Sequence, residues 1–233
     1  FPRLEQTFAD LVRRLEADPV AVTITDPQTN APRRVVLDGG ALVNALVAVS
    51  FYTPLFRDVP RWITNLAAGD ATEFAAFRAA SVPPPGFVGY GLTFGVFCAE
   101  QTPFSSPHDV LVGGSIIPEY PASVLAEAPQ FTYVYDDCRV WNVPSLPAMR
   151  HATPSDIPTL ILSGSFDSVT AFRWAKAAAE KLTHATLVSI PGARHFVLPE
   201  SHCAQSVVAS FLRHPHAPDT GCVARATPPA FSE

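Results

Sequence analysis

The chain reads as an α/β protein, with a mostly helical, hairpin-bearing stretch over residues 1–150 and an α/β segment over residues 151–233. Three observations carry that reading. Pro158–Ser163 is a short apolar run (Pro-Thr-Leu-Ile-Leu-Ser) of the kind that forms a central parallel strand. Thr170–Leu182 sets Phe172, Ala175, Ala178 and Leu182 at helical spacing. Ala185–Ile190 and His202–Leu212 then repeat strand and helix. Strand, helix, strand, helix at this spacing is βαβ architecture, for which a right-handed crossover is expected.

The earlier elements follow in order. Leu4, Phe8, Leu11, Val12 and Leu15 recur at helical spacing over residues 4–17, and Pro19 stops the helix. Two β-rich runs, Val20–Thr25 and Arg33–Leu37, flank the turn-prone Asp26-Pro27-Gln28-Thr29-Asn30 and predict a hairpin. Residues 40–52 and 60–80 read as helices, with Trp62, Ile63 and Leu66 as an apolar stripe and Gly69-Asp70 as a break. Pro83-Pro84-Pro85-Gly86 is the clearest internal punctuation. Beyond it, Phe87–Cys98 is apolar and Gly-spaced, which predicts a buried strand and a turn. Residues 101–155 are proline-rich and irregular, with short helical pieces near 121–127 and 145–150. No internal repeat is present.

Composition narrows the class. Of 233 residues, 48% are hydrophobic and 16% charged, which suits a chain that buries a core rather than a disordered one. A net charge of -5 gives no electrostatic footprint for nucleic acid or an anionic membrane. No apolar run approaches the roughly 20 residues needed to span a bilayer. The candidate Ala41–Phe51 is short and interrupted by Asn44. Phe1-Pro2-Arg3 leads straight into a helix with no initiator Met and no signal peptide, the start expected of a processed or truncated product. The four cysteines, Cys98, Cys138, Cys203 and Cys222, show neither CxxC nor metal-ligand spacing. They read as two disulfides formed in an oxidising compartment; the alternative is four buried thiols.

In an open α/β sheet the working residues lie just past the carboxyl ends of the strands. Asp167 follows the Leu160-Ile161-Leu162 strand and His195 follows Leu187-Val188-Ser189-Ile190. A carboxylate and an imidazole on neighbouring loops can hydrogen-bond. The carboxylate then fixes the imidazole tautomer and stabilises the imidazolium formed when a nucleophile gives up its proton. Alone, Asp167 would read as a cap of the helix starting near Thr170, and His195 as a surface loop residue. Their joint placement, acid before base, favours the catalytic reading.

The stretch Ile157–Thr170 resembles the acid loop of α/β-hydrolases, and Leu187–Phe196 resembles their histidine loop. Cys203, Phe211-Leu212, Pro215, Asp219 and Cys222 together resemble the C-terminal domain of secreted tripeptidyl-aminopeptidase-like hydrolases. Upstream, Val59-Pro60, Gly69-Asp70, Phe97-Cys98-Ala99-Glu100 and Cys138-Arg139-Val140-Trp141 agree, so the resemblance spans about residues 4–225. It implies catalytic roles for Asp167 and His195, no metal or organic cofactor, a secreted protein, and a cap over residues 1–150. The expected disulfides are Cys98 with Cys138 and Cys203 with Cys222. Glu100 falls at the family's acidic position after the cap cysteine, where such a residue can hold a substrate's free amine; a solvated loop Glu is the alternative. Tyr90, Phe94 and Phe97, with Phe87, could line a side-chain pocket or simply pack as core. Trp141 is expected against the Cys98–Cys138 bridge.

Two departures stand out. Thr170 is followed by Ala171 where the family has proline, a local change that leaves the acid in place. The nucleophile elbow Gly-x-Ser-x-Gly is missing. Gly113-Gly114-Ser115-Ile116-Ile117 lacks the last glycine; Ser163 and Ser165 lie in the acid loop; Ser50 and Ser168 lack the strand-to-helix context. Two strands alone would leave both sheet edges uncovered. The expectation is therefore a C-terminal chain of a secreted serine hydrolase acting on peptide or ester/amide bonds. Its nucleophilic Ser would come from another polypeptide, the N-terminal part of the same precursor, across a large apolar interface. An esterase, lactonase or amidase for a small acyl substrate is the neighbouring alternative, and a non-catalytic binding protein on the same scaffold is the other.

Overall fold

The structure, a computed structural model, describes residues 1–26, 29–51, 53–81, 86, 88–109, 120–127 and 132–232. Pro83–Pro85, Phe87 and the near-elbow Gly113–Ile117 lie outside the described residues. The chain divides into two units, Phe1–Leu46 with Pro60–His151, and Val47–Val59 with Ala152–Glu233. The segment Val47–Val59, which falls in the first half of the sequence, thus packs with the C-terminal α/β residues.

In the first unit, α1 (Leu4–Ala17) buries Phe8, Leu11, Val12 and Leu15, the stripe that its spacing predicts. The hairpin forms as expected from β1 (Val20–Thr25) and β2 (Pro32–Leu37), antiparallel with Val20 opposite Leu37 and Thr25 opposite Pro32. Its turn is closed from within. The Asp26 N–H donates to the Ala31 carbonyl at 2.8 Å, and Asn30 adopts φ 56°, a left-handed conformation that Asn tolerates. The buried Asp26 carboxylate accepts from the Thr29 N–H at 3.2 Å and from Arg33 Nη1 at 3.1 Å. Helix α2 (Gly39–Val49) starts where a Cβ on Gly39 would stand 2.7 Å from the Val12 carbonyl, so only glycine lets the chain pass α1 this closely. Helices α3 (Val59–Ala67) and α4 (Thr72–Ala80) are separated at Gly69-Asp70, as the sequence marks. Trp62 stacks on Phe77 at 4.9 Å and meets Phe74 edge-on. Helix α4 lies against both strands of the hairpin.

The strand expected over Phe87–Cys98 is not formed; α5 (Tyr90–Glu100) is a helix. A continuous apolar run carries no contrast between periods of 2 and 3.6, and Tyr90, Phe94, Phe97 and Cys98 in fact keep helical spacing. The short helix expected near 121–127 is α6 (Ala122–Glu127). Next comes α7 (Thr132–Trp141), which the sequence reading left irregular. The Cys98–Cys138 disulfide staples α7 to α5, and Trp141 rests on Phe94 with ring centroids 5.6 Å apart. A 3-10 turn over Pro147–Arg150 ends the unit's described segment close to the piece expected at 145–150.

In the second unit, β3 (Thr159–Gly164) and β4 (Ala185–Ile190) pair in parallel, Thr159 with Ala185 through Gly164 with Ile190, and α8 (Phe172–Ala179) connects them. After β4 come the short α9 (Val197–Glu200) and α10 (His202–Arg213), whose N-cap Ser201 accepts from the Ala204 N–H. Val188, Ile190, Ala193, Val197, Ala204 and Val207 form the core of this unit, with Leu160, Leu162 and the Cys203–Cys222 bridge packed against it. The other piece of the unit, a 3-10 turn over Thr53–Asp58, is hydrogen-bonded to the C-terminal tail. The Ser232 N–H donates to the Arg57 carbonyl at 2.8 Å, and Arg57 Nε donates to the Ala230 carbonyl at 2.9 Å. Phe231 lies beside Phe56, with centroids 5.7 Å apart.

Both expected disulfides are present, with sequence separations of 40 and 19 residues. Loop-closure entropy ranks them: removing the first should cost about 4 kcal/mol and the second about 3 kcal/mol. Urea unfolding of the two Cys→Ser pair variants under non-reducing conditions checks this, and equal stability of either variant with the parent would refute its stabilising role. Among the described residues no helix is long and apolar enough to cross a membrane.

Candidate active site

The parallel register of β3 and β4 brings their carboxyl ends level, Gly164 opposite Ile190, so the loops that leave them start side by side. Backbone bonds then lace the loops together. The Ser165 N–H donates to the Ile190 carbonyl at 3.1 Å, the Phe166 N–H to Ala193 at 3.0 Å, and the Gly192 N–H to Ser165 Oγ at 2.8 Å. A Cβ on Gly164 would sit 2.3 Å from the Ala193 carbonyl oxygen and 2.5 Å from that of Arg194. Glycine at this strand end is what allows the second loop to cross.

Asp167 and His195 meet there. His195 Nδ1 lies 3.1 Å from Asp167 Oδ2, with the Asp side chain 4% exposed and the His side chain 26% exposed. The carboxylate is fully engaged. Its Oδ1 accepts from the N–H groups of Val169 at 2.8 Å and Thr170 at 2.9 Å, and its Oδ2 accepts from the Thr170 hydroxyl at 2.6 Å. That hydroxyl is also 3.3 Å from His195 Nδ1. Helix α8 is entered through Ala171, so Asp167 closes the turn ahead of the helix rather than capping it. Burial is the largest single influence on the Asp167 carboxyl and would raise it. The bonds from the Thr170 hydroxyl and amide, His195 and the Val169 amide together outweigh burial and hold the carboxyl below its ordinary value. Asp167 is thus an anion built to face an imidazole. With Nδ1 turned to it, Nε2 is the nitrogen oriented to handle a substrate's or nucleophile's proton. The His195 ring packs edge-on to Phe51, centroids 5.0 Å apart.

Sequence reasoning missed the support around the pair. Immediately before His195, Arg194 is buried (side chain 3% exposed) and pairs with Glu200 (8% exposed), Nη2 to Oε2 at 3.0 Å. The same carboxylate oxygen accepts the Arg194 N–H at 3.3 Å, so Glu200 holds both the side chain and the backbone next to the imidazole. Nothing local in the sequence marks this pair. Removing one partner of a buried ion pair leaves the other charge desolvated, so Glu200→Ala should cost about 3–5 kcal/mol. A loss under 1 kcal/mol in equilibrium unfolding would show that Arg194 does not depend on Glu200.

Of the other predicted positions, Cys203 and Cys222 lie behind this edge in the core of the second unit. Cys98 and Cys138 join α5 to α7 in the first, and Glu100 closes α5 there. Ser50 and Ser168 are near the dyad, but the two hydroxyls are hydrogen-bonded to each other. Ser50 stands just past a helix end, not at the strained strand-to-helix turn that exposes a nucleophile. Among the described residues no cluster of three or more His, Cys, Asp or Glu is arranged to hold a metal ion.

Two parallel strands thus carry a carboxylate and an imidazole in contact at their carboxyl edge. Residues 124–224 match the family model described as TAP-like protein, in agreement with the tripeptidyl-aminopeptidase-like resemblance of the acid and histidine loops. No curated protein and no solved structure matches the chain.

Proposed function

We propose that this chain supplies the acid and the base of a secreted serine hydrolase that cleaves peptide or ester/amide bonds through an acyl-enzyme. The observation that carries the reading is the Asp167–His195 contact at 3.1 Å on adjoining strand ends. In this mechanism His195 Nε2 takes the proton of the serine hydroxyl as its oxygen attacks the acyl carbon. The resulting imidazolium returns that proton to the departing amine or alcohol, and the cycle repeats with water. Asp167 keeps the imidazole in the required tautomer throughout.

The serine itself is assigned to a second polypeptide, the N-terminal part of the same precursor. Supporting this, among the described residues the sheet holds just β3 and β4, and Leu160, Ile161 and Leu162 are partly buried. Parallel strands are ordinarily covered on both faces and paired on both sides. The first unit is assigned the role of a cap that selects substrates, with Glu100 as the group that would receive a free amino terminus. The paired disulfides support an extracellular setting.

A fluorophosphonate probe applied to the native preparation, followed by intact-mass analysis, tests the proposal. Labelling of a co-purifying polypeptide, abolished by His195→Ala in this chain, is the expected result. A native preparation in which no polypeptide is labelled would refute it. Short peptides with free amino termini and short esters, assayed side by side, then decide between peptidase and esterase.

A further inference from the structure

The segment that follows α2 touches both loops that carry the acid–base pair. Resting on the acid–base reading of Asp167 and His195, we propose that Ser50 and Phe56 are positioning residues that lock the two loops in register. Ser50 is 3% exposed. Its hydroxyl is hydrogen-bonded to the Ser168 hydroxyl and accepts the Ser168 N–H at 3.3 Å, which ties it to the residue after Asp167. Its carbonyl accepts the N–H of His195 itself at 3.4 Å. Phe56 repeats the arrangement from the other side. Its ring stacks on Phe166, the residue before Asp167, with centroids 5.0 Å apart. It also lies 5.3 Å from the Arg194 guanidinium, the residue before His195. Each residue therefore holds one neighbour of the acid and either the base or its neighbour. Two struts, one polar and one aromatic, thus add to the hydrogen bonds that already join the two loops.

Such bracing matters because catalysis tolerates little misplacement: an error of about 1 Å can cost on the order of 10²-fold in rate. The Nδ1–Oδ2 contact is the part most exposed to that error. If the loops drift, Nδ1 loses its carboxylate partner and the neutral imidazole redistributes its proton between both nitrogens.

The test uses the native protein carrying ¹⁵N-labelled histidine, with the His195 signals assigned by their loss in His195→Gln. Ser168→Ala, at an exposed position, removes the hydroxyl bond without disturbing the buried site, and Phe56→Leu removes the stack while keeping an apolar side chain. Ser50→Ala completes a cycle with Ser168→Ala. Each single variant should lower kcat by about 10- to 100-fold with KM nearly unchanged. Each should also convert the His195 ¹⁵N pattern from a single Nδ1–H tautomer to a mixture. The Ser50→Ala/Ser168→Ala double variant should be no worse than Ser50→Ala alone, because Ser50→Ala already removes both bonds between the two residues. Wild-type kcat and tautomer pattern in Ser168→Ala and Phe56→Leu would overturn the inference, whatever happens to Tm. The outcome is separable from the reading beneath it. An inactive His195→Ala beside unaffected Ser168→Ala and Phe56→Leu refutes the bracing alone, whereas an active His195→Ala refutes the acid–base assignment itself.

Discussion

His195→Ala should lower kcat on the native protein by on the order of 10⁶-fold, equivalent to about 8 kcal/mol of lost transition-state stabilisation. The size follows from the geometry. In the proposed mechanism the imidazole carries the proton from nucleophile to leaving group, and Asp167 cannot replace it because its oxygens are committed to Val169, Thr170 and His195. Ring loss leaves the remaining members of a triad without a proton path, while binding and oxyanion contacts continue to give residual turnover above water. Active-site titration should therefore show a folded protein that no longer forms an acyl-enzyme at a measurable rate. Retention of more than a tenth of the parent kcat would remove His195 from the mechanism.

The second large effect is expected of Asp167→Asn, about 10⁴-fold in kcat. An amide in this place keeps its oxygen on the Val169 and Thr170 N–H groups, because those donors need an acceptor. The amide nitrogen then occupies the position of Oδ2, facing His195 Nδ1 with a donor. Nδ1 must become the acceptor, its proton moves to Nε2, and the nitrogen required as the base is blocked. A pH study adds an independent check. The native Asp167 carboxyl lies below its ordinary value, so its ionised form stabilises the fold. That contribution should be complete above the unfolded carboxylate value of about 3.9 and should vanish as pH falls through the lower native value. The stability difference between wild type and Asp167→Asn should accordingly be flat from about pH 5 upward and shrink below about pH 4. A difference that grows on acidification would contradict the assignment.

What could be read from the sequence divides by the range of the interaction. Strands β3 and β4 and helices α1 and α10 are legible because each declares its period within its own residues. Asp167 and His195 are legible for the same reason, as each follows an apolar strand directly. Helix α5 is misread because Phe87–Cys98 is apolar throughout and has no polar face to set the period. Helix α7 escapes because Thr132–Trp141 is a short helix within a proline-rich stretch, and its anchor is a disulfide to a cysteine 40 residues away. The support of the site is more distant still: Ser50 and Ser168 are 118 residues apart, and no local pattern links them. Gly164 ends β3, and the carbonyls of Ala193 and Arg194 that demand a glycine there come from a different loop.

The pair of hydrogen bonds between Arg57 and the C-terminal residues provides a built-in observation post. Phe231 is 43% exposed yet lies within ring-current distance of Phe56. A fluorinated phenylalanine at position 231 would give one ¹⁹F line whose shift depends on the seating of the Phe56 ring. Inhibitor screening could follow that line without chromogenic substrate, and a compound that unseats the ring would announce itself from a place where it makes no contact.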